Sequence, residues 1–360
     1  MDFEDRLRRA RAGLRKTRMD ALLVTHLPNI RYLCGFTGSA AVLVVAERQN
    51  LFFTDGRYTE QSQEEVRGAT IKILNGKSAL AAATAWLGRQ AAIRRVGIDP
   101  LHLTIAEHKV LAAAVPRGAK LVEAPPIVER LRMTKDSGEI AKLRDACHLG
   151  VELFGRVLQV VRPGIQESEV AGELEFAARK AGVHQMAFST IVASGVRSAL
   201  PHGRASGARI PATGFIVCDF GVILAGYCSD MTRTVHVGRP RSGSRRVYEA
   251  VREAQQAALE VVKPGTTVGE IDHAARKLLN SRHLGKFFTH STGHGLGLEI
   301  HEAPRVAAGQ DEPLQPGMVI TIEPGVYLPG RFGVRIEDTV VVTETGCEVL
   351  TPCSKELITI

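Results

Sequence analysis

The stretch Phe215-Ile-Val-Cys-Asp-Phe-Gly221 decides how this 360-residue chain folds, because it places a carboxylate inside an otherwise apolar strand. Side chains alternate between the two faces of a strand, so Asp219 lies on the face opposite Cys218 and Phe220. A buried carboxylate without a partner costs a large desolvation energy, unless it pairs with a base or binds a metal. The stretch therefore predicts a strand whose acid needs a positively charged partner.

A second run, Tyr227-Cys-Ser-Asp-Met-Thr-Arg-Thr-Val-His-Val237, follows after a short connection that contains glycine. We predict that the two runs form a hairpin, which brings Asp230 across from Asp219. Two facing aspartates repel each other unless a cation lies between them. The pair therefore predicts a cation site.

Two further acids lie in apolar surroundings near the end of the chain. The run Met318-Val-Ile-Thr-Ile-Glu-Pro-Gly325 predicts a strand that ends in Glu323, just before a Pro-Gly turn. The segment 331–339 is predicted to start a fourth strand, and Arg335 and Glu337 are two residues apart in it. They should therefore share one face of that strand.

A glycine-rich segment, residues 290–301, supplies the imidazoles of His294 and His301 on a backbone that glycine allows to approach a ligand closely. The segment fits neither the dinucleotide-binding fingerprint nor the phosphate-binding loop, and it is not an HExxH zinc helix. We therefore do not interpret these glycines as a phosphate site.

The charges of these residues favour two metal ions. Arg335 is the only obvious base near the acids, so one divalent ion would leave the group negative, whereas two would neutralise its four carboxylates. A two-metal site of this kind activates a bridging water molecule. Oxygen-dominated ligation with one imidazole favours Mn²⁺, with Co²⁺ or Zn²⁺ as alternatives.

Five residues, in this order and surroundings, resemble the metal ligands of the metallopeptidases with the creatinase or pita-bread fold: Asp219, Asp230, His294, Glu323 and Glu337. That family includes methionine aminopeptidase, aminopeptidase P and prolidase. The most specific motifs are Asp230-Met-Thr-Arg-Thr234, Gly293-His-Gly-Leu-Gly-Leu298, Ile322-Glu-Pro-Gly325 and Val334-Arg-Ile-Glu-Asp338. The resemblance implies that these five residues bind two divalent ions within an α+β pita-bread catalytic domain.

The first third of the chain alternates short apolar runs with helical patterns, which predicts a smaller α/β domain. Strands are expected at 21–24, 41–46 and 51–54, and helices at 59–66 and 78–90. The motifs Asn29-Ile-Arg-Tyr-Leu-Cys-Gly-Phe-Thr-Gly38 and Thr54-Asp-Gly-Arg-Tyr58 resemble the creatinase/prolidase N-terminal domain, which methionine aminopeptidases lack. We place the domain boundary at residue 130, giving domains 1–130 and 131–360.

The second domain is predicted to pack helices on an antiparallel sheet, an α+β architecture. A long helix is expected at 134–159, with Thr134 as its N-cap. Further helices are expected at 167–181, 245–262 and 267–279, and strands within 210–238 and 318–343.

The segment Ile191-Val-Ala-Ser-Gly-Val-Arg-Ser-Ala-Leu-Pro-His-Gly203 resembles the Xaa-Pro peptidases and places His202 where they have an active-site histidine. The resemblance implies hydrolysis of Xaa-Pro peptide bonds, with Glu323 as both metal ligand and general base. His202 and His301 would bind the oxyanion and move a proton. Arg335 would hold Glu337 or a substrate carboxylate.

Several functions remain open within this family. A dipeptidase (prolidase) is slightly favoured over an aminopeptidase P that accepts longer peptides. A creatinase-like amidinohydrolase is less favoured, because it works without the metal ligands and all five are present here. The same intact ligand set speaks against a non-catalytic binding paralogue of the kind found among chromatin proteins.

Composition limits the partners. The net charge of +8 and the pI near 9.3 could indicate nucleic acid, but the basic residues in 6–18 fit the solvated face of a helix, so we expect none. No apolar run approaches the roughly 20 residues that span a bilayer. Six scattered cysteines without a CxxC pair indicate reduced thiols and a cytoplasmic location. The resemblance further implies a homodimer.

The remaining histidines and two of the cysteines have simpler interpretations. His236 and His290 are intermediate candidates, because they lie on the strand of Asp230 and close to His294, respectively. Cys218 and Cys228 are interpreted as core thiols. Seven other histidines are interpreted as packed or surface residues: His26, His102, His108, His148, His184, His273 and His283.

Overall fold

The computed structural model describes residues 1–76, 78–115 and 118–360, and it divides them into two compact units, Met1–Arg132 and Met133–Ile360. The division lies two residues beyond the sequence-based boundary at 130. Within the described part of the chain, no helix combines the length and apolar character needed to cross a bilayer.

The N-terminal unit is built around a six-stranded mixed sheet in the order β4-β3-β2-β1-β5-β6. Strands β1, β2 and β3 pair antiparallel, and the remaining pairs are parallel. Its strands are β1 (Ala21–Val24), β2 (Val42–Ala46), β3 (Asn50–Asp55), β4 (Thr70–Leu74), β5 (Arg95–Ile98) and β6 (Lys120–Glu123). Its helices are α1 (Phe3–Lys16), α2 (Leu27–Cys34), α3 (Thr59–Glu65), α4 (Ala79–Leu87), α5 (Ile105–Ala114) and α6 (Ile127–Met133), the last of which crosses the division.

Apolar strands form the core of this unit, and β1 and β2 are buried along their whole length. When helices cover a sheet, both faces of its central strands are hidden from solvent. Helix α1 begins after Asp2, whose side chain accepts a hydrogen bond from the Asp5 amide, and it buries Leu7 and Leu14 while its arginines lie mostly outside. The three predicted strands and two predicted helices are therefore present with boundaries shifted by at most three residues.

The C-terminal unit contains antiparallel sheets and four long helices. Its helices are α7 (Ser137–Val160), α8 (Glu167–Lys180), α9 (Ser242–Glu260) and α10 (Val268–Ser281). Its first strands are β7 (Gln185–Met186), β8 (Ile191–Ser194), β9 (Gly214–Phe220), β10 (Val222–Leu224), β11 (Tyr227–Cys228) and β12 (Met231–Val237). The later strands are β13 (Gly293–Gly295), β14 (Glu302–Val306), β15 (Val319–Ile322), β16 (Gly325–Leu328), β17 (Phe332–Arg335), β18 (Asp338–Val342) and β19 (Cys347–Val349).

Two of these sheets position the acids. One has the order β12-β9-β8 and the other β14-β13-β15-β18-β19, and every described pair within them is antiparallel. Helices α9 and α10 pack on residues of the second sheet, and α7 and α8 pack on the apolar face of β9. The observed unit is therefore the predicted arrangement of helices on antiparallel sheets.

Two local predictions were wrong. The long helix α7 is capped by Asp136, whose carboxylate accepts from the Glu139 amide, and not by Thr134. Thr134 instead forms an isolated antiparallel bridge with Met318, because the chain is still extended there. Because Thr134 pairs with Met318, the helix starts at Ser137, three residues after the predicted start at residue 134.

The expected fourth strand is two strands. β17 pairs with β16 in a separate two-stranded sheet, whereas β18 pairs with β15. The chain changes partner at Ile336 and Glu337, whose amides donate to the carbonyls of Pro324 and Thr232. Alternation within a single strand consequently does not describe how Arg335 and Glu337 are oriented.

Candidate metal and catalytic site

Asp219 and Asp230 are brought together by the antiparallel pair β9–β12. In the observed register Asp219 is opposite Thr232, and Asp230 directly precedes β12. The two runs are not joined by a simple turn, because β10 and β11 form a small hairpin between them. On the other face of β9, Ile216, Cys218 and Phe220 belong to the hydrophobic core, as alternation predicted.

Glu323 and His294 come from neighbouring strands. Glu323 follows β15, and its amide donates to the Thr292 carbonyl over 2.7 Å. His294 lies in the middle of β13, and its Nε2 is 3.6 Å from Glu323 Oε1 and 3.5 Å from Asp230 Oδ2. Thr321 connects these strands, since its hydroxyl accepts from the His294 amide.

The glycine before His294 makes this approach sterically feasible. A Cβ atom at Gly293 would lie 1.9 Å from the Thr321 carbonyl oxygen. A glycine at this position therefore lets β13 pass close to β15 and bring the imidazole to the acids.

Glu337 is held by Thr232, whose hydroxyl donates to Glu337 Oε2 over 2.7 Å. The same hydroxyl oxygen accepts from Arg335 Nε over 3.1 Å. Thr232 therefore connects the guanidinium to Glu337 without a direct ion pair between them.

All eight residues that the sequence analysis selected line a single cavity of about 750 Å³. They are His202, Asp219, Asp230, His294, His301, Glu323, Arg335 and Glu337. Phe188, Ile191 and Pro201 add apolar surface to its wall, so the cavity combines a polar floor with apolar contacts.

Burial and mutual repulsion dominate the electrostatics of the acids. Burial first, and then the neighbouring carboxylates, raise the pKa values of Asp230 and Glu337 well above the usual range. Burial also raises the pKa of Glu323, although His294 and Arg335 partly oppose it. Such a cluster is unfavourable unless a positive charge compensates it.

The residues fit divalent metal ions. Single ligand atoms of Asp230, His294 and Glu337 all lie within 4.8 Å of one another. Asp230 Oδ1 is buried and has no hydrogen-bond partner among the described residues, so a carboxylate oxygen is free to bind a cation. Asp219 and Glu323 adjoin this group, because both contribute to the repulsion that raises the pKa of Asp230. The donor set is mostly oxygen with one imidazole, which suits a divalent cation.

Arg335 contacts a different acid from the one expected. Its Nη2 forms an ion pair with Asp219 Oδ2, and its Nη1 donates to the hydroxyl of Tyr327 over 2.6 Å. Of the two partners expected for Arg335, Glu337 was therefore wrong, because the end of β17 points the guanidinium toward β9, while the binding of a substrate carboxylate stays a prediction. Burial alone lowers the pKa of Arg335, but Tyr327 and Asp219 raise it well above its usual value.

His202 and His301 face the same cavity from different segments. The ring of His301 lies 4.4 Å from that of His294, edge to face. Burial, together with the nearby His294 and His202, lowers the pKa of His301. A neutral imidazole can both donate and accept a hydrogen bond, which suits a residue that moves a proton.

The two intermediate histidines differ. His290 lines the cavity, and its Nε2 is 2.9 Å from the Tyr327 hydroxyl. Burial lowers the pKa of His290 to about 4. His236 is buried against the ring of Phe215, and its Nδ1 lies 2.8 Å from the Gly238 carbonyl, so it has a structural role.

The remaining histidines and the two cysteines are not among the residues that line the cavity. Of these histidines, His102 contacts Asp99 at 2.7 Å within the N-terminal unit. Cys218 and Cys228 are both buried, and burial raises the pKa of the Cys218 thiol to about 12. Both thiols therefore behave as core residues.

Several residues of the site did not emerge from the sequence. Tyr327 contacts both Arg335 and His290, and Arg204 and Arg305 line the cavity. Thr232 could have been found by alternation, since it is two residues beyond Asp230. Nothing in the local sequence distinguishes Tyr327, Arg204 or Arg305, because their position depends on distant strands.

Comparison with known proteins gives the family. Residues 141–344 match metallopeptidase family M24, and residues 6–134 match the creatinase/prolidase N-terminal domain. The chain is 37% identical over 346 residues to a Xaa-Pro dipeptidase of Pyrococcus horikoshii, covering 95% of each protein. These matches confirm the predicted resemblance and the fold class.

Solved structures agree with the sequence comparison. A Xaa-Pro dipeptidase from Bacillus anthracis superimposes with a TM-score of 0.96 at 39% identity, covering 100% of both chains. An X-Pro aminopeptidase from Thermotoga maritima superimposes with a TM-score of 0.88 at 36% identity, covering 97% of this chain and 100% of the other. The same fold therefore occurs in proteins named for dipeptides and in one named as an aminopeptidase.

Proposed function

Because the chain belongs to metallopeptidase family M24, with a creatinase/prolidase N-terminal domain, we propose that it hydrolyses Xaa-Pro peptide bonds and prefers dipeptides. The observation that carries the proposal is the convergence of eight acidic, basic and imidazole side chains on one cavity. Relatives named Xaa-Pro dipeptidase at 37% and 44% identity support the same activity. We assign catalysis to the domain at 131–360.

We propose five metal ligands for two divalent ions: Asp219, Asp230, His294, Glu323 and Glu337. Two ions so bound would lower the pKa of a water molecule and polarise the substrate carbonyl. Oxygen-rich ligation favours Mn²⁺, and Co²⁺ or Zn²⁺ are the alternatives. Asp230 supports this assignment because its buried Oδ1 has no other partner among the described residues.

The side chains supply the remaining chemistry. By the family resemblance, Glu323 would be both a metal ligand and the general base that takes the proton of the attacking water. His202 and His301 would donate hydrogen bonds to the carbonyl oxygen as negative charge develops on it. The imide nitrogen of proline carries no hydrogen, so a proton must reach it before the bond breaks. The imidazole of His301 faces the cavity, so it could accept the proton that Glu323 took from the water and pass it on to that nitrogen.

Two arginines support a preference for dipeptides. Arg204 and Arg305 line the cavity, and neither guanidinium has an ion-pair partner among the described residues. Arg305 lies on β14 directly opposite His294 in the sheet register. A guanidinium in the cavity wall suits the carboxylate of a C-terminal proline, which a dipeptide presents one residue beyond the scissile bond and a longer peptide does not.

An aminopeptidase that accepts longer peptides is the second candidate. It is favoured by the likeness to the Thermotoga maritima X-Pro aminopeptidase. Two exposed arginines can also bind the backbone carbonyl oxygens of a longer peptide, so the cavity lining alone admits both substrates.

A substrate comparison tests the proposal. The metal-stripped protein is reloaded with Mn²⁺ and assayed on Ala-Pro, Ala-Pro-amide and Ala-Pro-Ala, with Glu323→Ala as the inactive control. Cleavage of Ala-Pro at least tenfold faster than of the other two would support a dipeptidase. Equal or faster cleavage of Ala-Pro-Ala would support the aminopeptidase, and metal-independent or absent cleavage of all three would refute both.

The arginines are tested separately with Arg305→Gln and Arg204→Gln. If either guanidinium binds the terminal carboxylate, its loss should raise KM for Ala-Pro at least tenfold and leave Ala-Pro-amide nearly unchanged. Equal effects on both substrates would show that the arginine does not recognise that carboxylate.

We also propose a homodimer in the cytoplasm. The family resemblance supports the dimer, and the six cysteines, which are scattered along the sequence without a CxxC pair, support a reducing compartment. Sedimentation equilibrium would measure the mass of the assembly, and a single-chain mass of 38.9 kDa at micromolar concentration would contradict the dimer.

A further inference from the structure

The segment that carries His202 into the cavity is mostly irregular. We call residues 194–206 the histidine segment; it starts at the last residue of β8 and contains a single short helical turn, Gly195–Ala199. It also contributes Pro201 and Arg204 to the cavity wall. A loop of this kind needs contacts from outside to hold one imidazole in place.

Glu167 supplies such contacts at both ends of the histidine segment. It lies in the first turn of α8, and its side chain is completely buried. Its Oε1 accepts from the amide and hydroxyl of Ser194, over 2.8 and 2.9 Å. Its Oε2 accepts from the hydroxyl of Ser206 over 2.7 Å. One carboxyl group therefore joins the first and last residues of the segment.

Arg197 extends this connection into the segment. Its Nε donates to Glu167 Oε2 over 3.0 Å, and its Nη2 donates to the Arg204 carbonyl over 2.8 Å. Glu167 thus fixes Arg197, and Arg197 fixes the backbone two residues beyond His202. Both contacts are charge-assisted, so they hold their geometry better than neutral hydrogen bonds.

The middle of the histidine segment is held by residues of β17. Ser198 Oγ accepts from the Gly333 amide over 2.9 Å, and the Pro201 carbonyl accepts from Arg335 Nη1 over 3.0 Å. Glu167 itself does not line the cavity. Its effect on any substrate must therefore pass through the segment.

We propose that Glu167 is a positioning residue that holds His202 at the substrate carbonyl. This inference rests on the proposed function for its kinetic consequence, but not for its structural one. Burying a carboxyl group costs more free energy than burying an apolar side chain of similar size. Four hydrogen-bond donors from the histidine segment compensate that cost. Replacement of one carboxylate oxygen by an amide NH2 removes the charge and one acceptor, so Arg197 Nε and the Ser206 hydroxyl lose the oxygen they share and the segment is held less firmly.

Limited proteolysis tests the structural part without any substrate. Trypsin cleaves after Arg197 and Arg204, which both lie in the histidine segment, and mass spectrometry identifies the new ends. Glu167→Gln should be cut at these two bonds at least tenfold faster than the wild type. Glu169→Gln is the matched control, because it removes an exposed acid from the same helical turn that only caps α8.

A double-mutant cycle tests the kinetic part. Glu167→Gln should lower kcat/KM on Ala-Pro at least tenfold while the bound metal per chain stays unchanged, since no proposed ligand is touched. In the His202→Ala background the same substitution should lower kcat/KM at least fivefold less. Equal losses in both backgrounds would show a general structural effect and overturn the proposal.

Ser206→Ala keeps the inference testable if Glu167→Gln does not fold. It removes a single hydroxyl donor, and it should raise cleavage after Arg204 severalfold with a folded protein. If the segment is no more sensitive to trypsin in either variant than in the wild type, Glu167 does not position it. If the wild type itself cleaves no Xaa-Pro peptide, the proposed function fails, while the proteolysis result still decides whether Glu167 orders the segment.

Discussion

At the scale of single residues, the site combines acids that repel one another with a few neutral groups that orient them. Asp230 shows the first feature, because it is buried and one of its oxygens has no partner among the described residues. Thr232 shows the second, because its one hydroxyl serves both Glu337 and Arg335. Substitutions at these two residues should therefore weaken metal binding for different reasons.

Asp230→Asn should prevent metal binding while the metal-free protein becomes more stable. The substitution removes a proposed ligand and also removes a buried charge that its neighbours repel, so the free energy of unfolding without metal should rise by roughly 1 kcal/mol. Metal content and chemical denaturation in a chelator measure the two effects. Asp311→Asn, at an exposed acid, should change neither, and a lower stability of metal-free Asp230→Asn would contradict the repulsion.

Thr232→Val should weaken metal binding without removing a ligand. Valine has nearly the shape of threonine but leaves Glu337 without its 2.7 Å donor, and loss of such a partner lowers metal affinity about 10- to 100-fold. Titration with Mn²⁺ measures the change. Thr234→Val, on the same strand face, contacts only the backbone of Arg335 and should lower the affinity much less.

At the scale of elements, the close approach of strands decides where the side chains of the site lie. His294 reaches the acids because β13 passes directly beside β15 at Gly293. The exchange of partners between β17 and β18 has a similar effect, since it lets Arg335 contact Asp219 while Glu337 turns to Thr232. Sheet geometry, more than the order of residues along one strand, therefore sets the contacts.

Gly293→Ala should destabilise the protein by about 3 kcal/mol or more, because the new methyl group would overlap a backbone carbonyl that cannot move without breaking the sheet. Urea denaturation measures the loss. Gly155→Ala is the matched control: this glycine lies inside α7, and no atom of the described residues lies within 4 Å of the place its Cβ would take, so alanine should stabilise by about 0.5 to 1 kcal/mol. A tolerated alanine at 293 would refute the steric argument.

At the scale of the whole molecule, metal binding and folding should be coupled. Divalent ions bind the folded site and relieve its repulsion, and a ligand at 100 times its Kd stabilises the native state by about 2.7 kcal/mol. For a unit the length of Met133–Ile360, this gain in stability corresponds to a rise in Tm of roughly 5 to 11 °C. Differential scanning calorimetry of the stripped protein with and without Mn²⁺ measures it, and Asp230→Asn should show almost no rise. An equal rise in that variant would place the ions elsewhere.

The sequence by itself determined the two-domain organisation, the apolar strands and the acids that need a cation. These follow from local properties: alternation places an acid on one face of a strand, and a buried acid requires a cation. His202 and the roles of the other selected residues came from the resemblance of their motifs to a known family. Spacing also identified Cys218 as a core thiol, as the structure shows.

Only the tertiary structure decided which of these residues contact one another. Asp219 and Arg335 form an ion pair although they are 116 residues apart, whereas the sequence analysis offered Glu337 or a substrate carboxylate as the partner of Arg335. A partner so distant along the chain cannot be found from local pattern. The N-cap of α7 was misplaced for the same reason, since Met318 holds Thr134 in an extended bridge. The local pattern of residues determines which side chains share a face of a helix or strand. The packing of distant strands determines which of these faces contact one another, and this packing depends on the free energy of the whole fold.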